Sequence, residues 1–364
     1  MSTPDHVLQG RFRRPAAARP TMTWCTRRRG LTLVEVLVVT AIIGLLLALL
    51  LPTLQGVRES SRLTACANNL RQHGVAIQSY HALQGRFPPH STATPPDRRC
   101  GFHAVVINWP MLILPFMEED IVAQGFRPEV GFRPVDAPTV NRSFFERRFP
   151  VSQCPSDTPG WFNGIAANGG EDWGYNVPRM NYVACMSPDG THAPRTTRSG
   201  FVDMTCGLDY VSPANNPPGP PPAGKRALFE FDVSRAAAQV RDGLSNTIAF
   251  AELIQGSTKP TKDLRGMWAG DLGCGYSHRQ TPNSSVPDQA VPYNGYSSNE
   301  KVPSVQTAAC WSTSVFAARS YHAARGVNTT FADGSTRFVS DLVDAAIWQG
   351  LASIDSKDSG SIEP

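Results

Sequence analysis

RRRGLTLVEVLVVTAIIGLLLALLLP, residues 27–52, is the stretch on which the reading of the chain turns. Arg27, Arg28 and Arg29 precede one small residue, Gly30, and then about 20 apolar residues in which Glu35 is the only charge. An apolar run of that length spans a bilayer as a helix. The arginines in front of it place the N-terminus in the cytoplasm and the rest of the chain across the membrane. A secretory signal has a shorter apolar core followed by its small-residue cleavage site, whereas here the small residue comes first. Cleavage at Gly30 would therefore leave the hydrophobic helix on the product.

The formal charge of the 364 residues is +4, but residues 1–30 hold seven Arg against the single acid Asp5. Residues 31–364 then carry 4 minus 6, or −2. The basic character belongs to the leader, so nucleic acid is not an expected partner. Pro15 and Pro20 make the first 21 residues unlike a compact leader, and Met22 would open a short one, MTWCTRRRG.

Beyond the apolar run, Pro52 removes a backbone hydrogen bond and permits a kink or local melting at Leu51–Pro52. The pattern then turns amphipathic, with Leu54, Val57, Leu63, Ala67, Leu70, Val75 and Ile77 among Arg58, Glu59, Arg62, Asn68, Arg71 and Gln72. This predicts one helix of roughly 50 residues, about 75 Å at 1.5 Å per residue, whose second half packs on a head. Gly85, Pro88, Pro89, Pro95 and Pro96 end it.

Short β-type runs follow at 105–109, 111–116, 181–186, 227–233, 246–253 and 328–340. In the last, Phe331 and Phe338 flank Asp333-Gly334, which predicts a two-residue hairpin turn with positive φ at both positions. PANNPPGPPPAGK at 213–225 reads as an exposed, partly polyproline loop. The fold class is α+β, with a leader (1–30), a stem helix (31–83, transmembrane over 31–51), a β-rich head (84–355) and a flexible tail (356–364).

Eight Cys, at 25, 66, 100, 154, 185, 206, 274 and 310, form no CxxC pair, which fits an oxidising compartment better than zinc. Cys100 and His103 lack a second ligand pair at comparable spacing. His322, Asp333 and Ser312 or Ser335 supply the residue types of a hydrolase triad, but no GxSxG elbow accompanies them. His322 is read as a hydrogen-bonding strut and Asp333-Gly334 as a turn. No catalytic residue and no cofactor are expected.

RRRG followed by LTLVEVLVV and AIIGLLLALLLP resembles the N-terminus of type IV pilins and type II secretion pseudopilins. The resemblance implies cleavage after Gly30 and N-methylation of Leu31 by a prepilin peptidase/N-methyltransferase. Glu35 becomes the fifth mature residue and Pro52 the twenty-second, as in that class, and Glu35 would meet the N-terminal amine of a neighbouring subunit during assembly. Related pseudopilins bind calcium in a head loop. Asp242, Ser245 and Asn246 are oxygen donors in such a loop here, but one carboxylate is few for calcium.

A second resemblance spans nearly the whole chain, to the planctomycete-type pilin-like family called domain of unknown function 1559. It rests on CANNLRQHGVAIQSYH at 66–81 with FPP at 87–89, WPMLILPFMEED at 109–120, CPSD at 154–157, VRDGLSNTIAFAE at 240–252 and YHAARGVNTTFADGSTRFV at 321–339. The family places nine residues between the His and the Asp-Gly, whereas ten separate His322 from Asp333, the extra one falling around Ala323–Arg325. The resemblance also suggests a Cys66–Cys154 bond that staples head to stem.

The resulting expectation is a non-enzymatic prepilin- or pseudopilin-like subunit, single-pass in the inner membrane, its head periplasmic or extracellular. Its partners would be the peptidase, other pilin-like subunits and an assembly platform. Residues 84–364 make a large head for a bulk filament subunit, so a minor or tip subunit fits better. The rival keeps the same anchor but makes the head a binding or surface-structure module that never polymerises.

Overall fold

The computed structural model describes residue 30 and residues 32–94, 105–117, 125–127, 141–163, 176–190, 224–257, 263–268, 273–290, 300–306 and 316–356. Leu31, most of the leader, Cys25, Cys100, His103, Cys206, Cys310, Ser312, the Pro-rich loop up to 223 and the tail from 357 lie outside those residues. The chain divides into two compact units, Met1–Leu54 and Gln55–Pro364.

One helix, α1 (Leu33–Gln84, 52 residues), belongs in part to each unit. Its start is fixed locally. The Thr32 N–H and hydroxyl donate to Glu35 Oε2 at 2.8 and 2.9 Å, and the Glu35 N–H donates back to Thr32 Oγ1 at 3.2 Å. This is a capping box, which satisfies backbone donors that an α-helix otherwise leaves open at its first turn. The helix is unbroken through Pro52, and its described side chains up to Leu54 are all exposed.

In the second unit, α1 buries Cys66, Leu70, His73, Gly74, Ala76 and Ile77. Cys66, Leu70, His73 and Ile77 follow one another at steps of three and four, which aligns them on one helical face. The buried face differs from the expected one: Val57 and Val75 are exposed, and His73 takes a core position. His73 fits because its Nδ1 lies 2.9 Å from the Asn69 carbonyl oxygen and its ring packs edge-on against Trp109, Tyr182 and Phe250.

That face lies on a five-stranded sheet with the order β11-β10-β6-β5-β7. Its strands are β5 (Tyr182–Ser187), β6 (Ile248–Glu252), β7 (Gly275–Ser277), β10 (Gly326–Phe331) and β11 (Thr336–Ser340). Pairing is antiparallel except between β5 and β7, which run parallel. Strands β5, β6 and β10 are buried along their whole length, as expected of central strands covered on both faces. Tyr182 and Ala184 join the core that includes Leu70 and Ile77 of α1. Val183 and Cys185 join the opposite core, with Val327, Phe331, Trp348 and Leu351. Alternation along β5 thus makes three layers: stem helix, sheet, and the C-terminal segment carrying α4 (Ala345–Gly350), which Asp344 caps.

Two expected strands are not strands. MLILPF forms the end of α2 (Trp109–Ile113) and a 3₁₀ turn (Leu114–Phe116). Pro110 at the first helical turn supplies a helical φ, and a short apolar run does not by periodicity distinguish strand from buried helix. The run at 227–233 makes only isolated bridges, because Asp232 at φ 57 folds it back between Glu230 and Val233. Of the remaining described pairs, β1 (Ser91–Thr94) with β2 (Val105–Asn108) and β3 (Trp161–Asn163) with β4 (Asn176–Pro178) are antiparallel. Strands β8 (Asp288–Ala290) and β9 (Ser304–Gln306) are parallel. A further short helix, α3, covers Arg142–Phe145.

The β10–β11 hairpin is present, but its closure differs from the expected two-residue turn. The Gly334 N–H donates to the Phe331 carbonyl at 2.9 Å, and the Phe331 N–H to the Ser335 carbonyl at 2.8 Å. The loop is therefore the three residues Ala332, Asp333 and Gly334, and only Gly334 has positive φ, at 86°. Asp333 instead accepts from the Ser335 N–H and hydroxyl at 2.8 and 2.7 Å, an Asx-type turn. The hairpin sits on α1: Thr330 Oγ1 donates to the Leu70 carbonyl at 3.1 Å, and the Gln78 side-chain amide donates to the Ala332 carbonyl.

Candidate functional site

Glu59 and Cys66 stand seven residues apart on α1, two turns along one face. Cys66 is disulfide-bonded to Cys154, 88 residues later, with the Cα atoms 5.2 Å apart. Cys154 opens the segment CPSD, which is held by its own aspartate. Asp157 Oδ2 accepts from Asn181 Nδ2 at 2.7 Å and from the Gln255 N–H at 2.8 Å, and Asn181 Oδ1 accepts from the Cys154 N–H at 2.9 Å. Burial lifts the Asp157 carboxyl above the usual range, although Gln255, Asn181 and Thr158 donate to it. The disulfide thus enters the head through a loop bonded to the start of β5 and the chain after β6.

His322 reaches the same place from the segment before β10. Arg319, buried, anchors that segment: its side chain donates to Asp288 Oδ1 at 2.9 Å and to the carbonyls of Ser284 and Val286 at 2.6 and 3.1 Å. The Arg319 N–H donates to the Glu252 carbonyl at 2.9 Å. Between His322 and the hairpin the chain makes a tight turn in which Arg325 adopts φ 57 and its N–H donates to the His322 carbonyl at 3.3 Å.

The His322 side chain is inaccessible to solvent and lies between two carboxylates. Nε2 is 3.0 Å from Glu252 Oε1 and Nδ1 is 3.0 Å from Glu59 Oε1. Glu252, at the end of β6, also accepts from the Asn328 N–H at 2.8 Å and from Asn328 Nδ2 at 3.0 Å. Burial alone would depress the imidazole pKa, but Glu252 and then Glu59 outweigh it and hold it above the usual value. Glu59, His322 and Glu252 therefore form an ionic strap from stem helix to central strand, beside the disulfide.

Ser156 Oγ lies 3.3 Å from His322 Nδ1, so a serine, a histidine and an acid do come together. A general base needs a free lone pair facing the hydroxyl. Here both ring nitrogens donate to carboxylates, and the arrangement suits a strut rather than a nucleophile's partner. Asp333 is engaged in its own turn, and Ser335 with it.

The Asp242 loop is also self-engaged. Asp242 Oδ2 accepts from the Ser356 N–H at 2.7 Å, and Asn246 Nδ2 donates to the Asp242 carbonyl at 3.0 Å. Burial raises the Asp242 carboxyl, with a further push from Asp355. A different set of donors converges at the strap: one atom each from Cys66, Cys154, Glu252 and His322, all within 4.8 Å of one another and all buried. Sequence reasoning named Cys66, Cys154 and His322 but missed Glu59 and Glu252. The only signal for Glu252 was its place at the end of the block VRDGLSNTIAFAE.

At the other end of the chain, Gly30 is exposed, and Glu35 is held by Thr32. No curated protein and no solved structure matches the chain. Two family models do. The prokaryotic N-terminal methylation motif covers residues 25–51, and the model described as a protein of unknown function, DUF1559, covers residues 55–346. The motif marks a pilin-like precursor, and the second match takes in the strap, the disulfide and the sheet. The chain belongs to the DUF1559 family and carries a prepilin-type N-terminus.

Proposed function

We propose that this protein is a non-enzymatic pseudopilin-like subunit, cleaved after Gly30, methylated at Leu31 and assembled through α1 into a type II secretion or type IV pilus-like filament. The observation that carries this reading is the first unit of the helix. Every described side chain from Leu33 to Leu51 is exposed, and nearly all are apolar. A helix apolar all round must be buried in lipid or among other helices, and one that leaves the membrane requires copies of itself. In the precursor the Glu35 carboxylate is satisfied by Thr32. In the processed subunit the new amine at residue 31 gives a neighbour's Glu35 a cationic partner, which would set subunit register.

The arginines at 27–29 put the N-terminus in the cytoplasm and the head across the inner membrane. The partners are then the prepilin peptidase, other pilin-like subunits and an assembly platform. The size of the second unit favours a minor or tip position. Imaging sheared surface material from cells expressing the protein with its peptidase, wild type against Glu35→Ala, tests this. Filament-associated wild type with loss of association in the variant is expected. Processed protein that stays monomeric in the membrane in both would instead indicate an individually anchored module.

A further inference from the structure

We propose that the strap is also a metal site: in its dithiol state, Cys66, Cys154, His322 and Glu252 bind one zinc ion. The inference goes beyond the filament reading and does not depend on it.

Two sulfurs, one imidazole nitrogen and one carboxylate oxygen are a tetrahedral zinc donor set. With zinc bond lengths of about 2.3 Å to sulfur and about 2.0–2.2 Å to nitrogen and oxygen, a tetrahedron has S···N and N···O edges of about 3.6 and 3.4 Å. Cys154 Sγ lies 3.8 Å from His322 Nε2, and that nitrogen lies 3.0 Å from Glu252 Oε1. These two edges stand within about 0.4 Å of the required spacing, all four donor atoms lie within 4.8 Å of one another, and the two sulfurs must part to about 3.8 Å.

The surrounding contacts fit a ligand histidine as well. A zinc-bound imidazole usually donates its other N–H to a carboxylate, which fixes the tautomer and turns the free nitrogen to the metal. Glu59 Oε1 holds His322 Nδ1 at 3.0 Å and so directs Nε2 at the cluster. Glu252 is held in turn by the Asn328 backbone and side chain. In the disulfide state the sulfurs are not thiolates and the set is incomplete, so metal and disulfide are alternatives at one seam.

Interconversion balances as follows. A dithiol reductant gives two electrons and two protons to the Cys66–Cys154 bond and is itself oxidised to a disulfide. Zinc then displaces one proton from each thiol and the Nε2 proton of His322, releasing three to solvent. A newly made chain that has not been oxidised is already in the dithiol form, and zinc would hold stem to head in place of the covalent bond.

The full-length protein in detergent, oxidised or reduced with a phosphine that does not chelate zinc, would be titrated anaerobically with Co²⁺ and then Zn²⁺. The expected result is one equivalent of Co²⁺ with thiolate-to-cobalt charge transfer in the reduced protein only, displaced by one equivalent of Zn²⁺. Cys66→Ser should weaken the charge-transfer band. His322→Gln, which leaves both thiols and the disulfide route to the folded state intact, should lower affinity at least tenfold. No stoichiometric Co²⁺ binding by the reduced protein, a band unchanged in Cys66→Ser, or unchanged affinity in His322→Gln would each overturn the proposal.

Discussion

His322 shows how one side chain can set the chemistry of a seam. It is buried between Glu59 and Glu252, and removing it leaves Glu252 buried without its cationic partner. His322→Ala should cost about 3–5 kcal/mol in denaturant unfolding of the oxidised protein; a loss under 1 kcal/mol would show the strap to be incidental. Two other histidines titrate in the opposite sense. Burial depresses His73 to about 4 and His278 to about 3, although each has a backbone carbonyl partner that pulls upward. Their unfolded value is about 6.5, so the unfolded chain takes up protons first as pH falls. The stability they contribute is complete above about pH 6.5 and is lost as pH drops toward their folded values. His322, whose pKa is raised, adds stability as pH falls, but the two larger opposite shifts should outweigh it, so melting temperatures measured from pH 7.5 down to pH 4.5 should fall. His278→Gln should flatten that slope, whatever it does to stability at pH 7.5.

Among elements, the contact between α1 and the β10–β11 hairpin depends on a glycine. A Cβ built on Gly74 would lie 2.8 Å from Thr330 Cγ2 and 2.9 Å from the Gly334 carbonyl oxygen, while one on Gly56 would meet nothing within 4 Å. Gly74→Ala should therefore destabilise by about 1–3 kcal/mol through overpacking, despite alanine's better helix propensity. Gly56→Ala should stabilise by up to about 1 kcal/mol. Equal and stabilising effects at both positions, read from unfolding midpoints, would contradict the close helix–hairpin approach. At this scale the sequence was uneven as a guide. The long helix and the β10–β11 pair were legible because their periodicity and turn chemistry are local. MLILPF misled because a short apolar run looks the same in strand and buried helix, and the turn at Asp232 carried no glycine to mark it. The capping box Thr32-x-x-Glu35 was readable but was eclipsed by the charge of Glu35 inside an apolar run. Glu59 and Glu252 could not be paired with His322 from spacing, since they lie 263 and 70 positions before it in sequence and only the fold brings them together.

For the molecule as a whole, two family matches meet between residues 51 and 55, the methylation motif ending where the DUF1559 region begins. The structure gives each its own logic. The N-terminal unit is an exposed apolar helix with its first turn capped; the second is a three-layer body whose own stretch of α1 is held to the sheet by a disulfide, an ionic strap and a close glycine contact. The central claim is that this chain is processed as a prepilin, and the N-terminus of the protein isolated from cells that contain the peptidase tests it directly. Intact-mass and peptide mass spectrometry should find Leu31 as the first residue, bearing one methyl group, with the arginine-rich leader gone. A mature protein that begins upstream of Gly30, or one cut within or after the apolar run, would contradict the account.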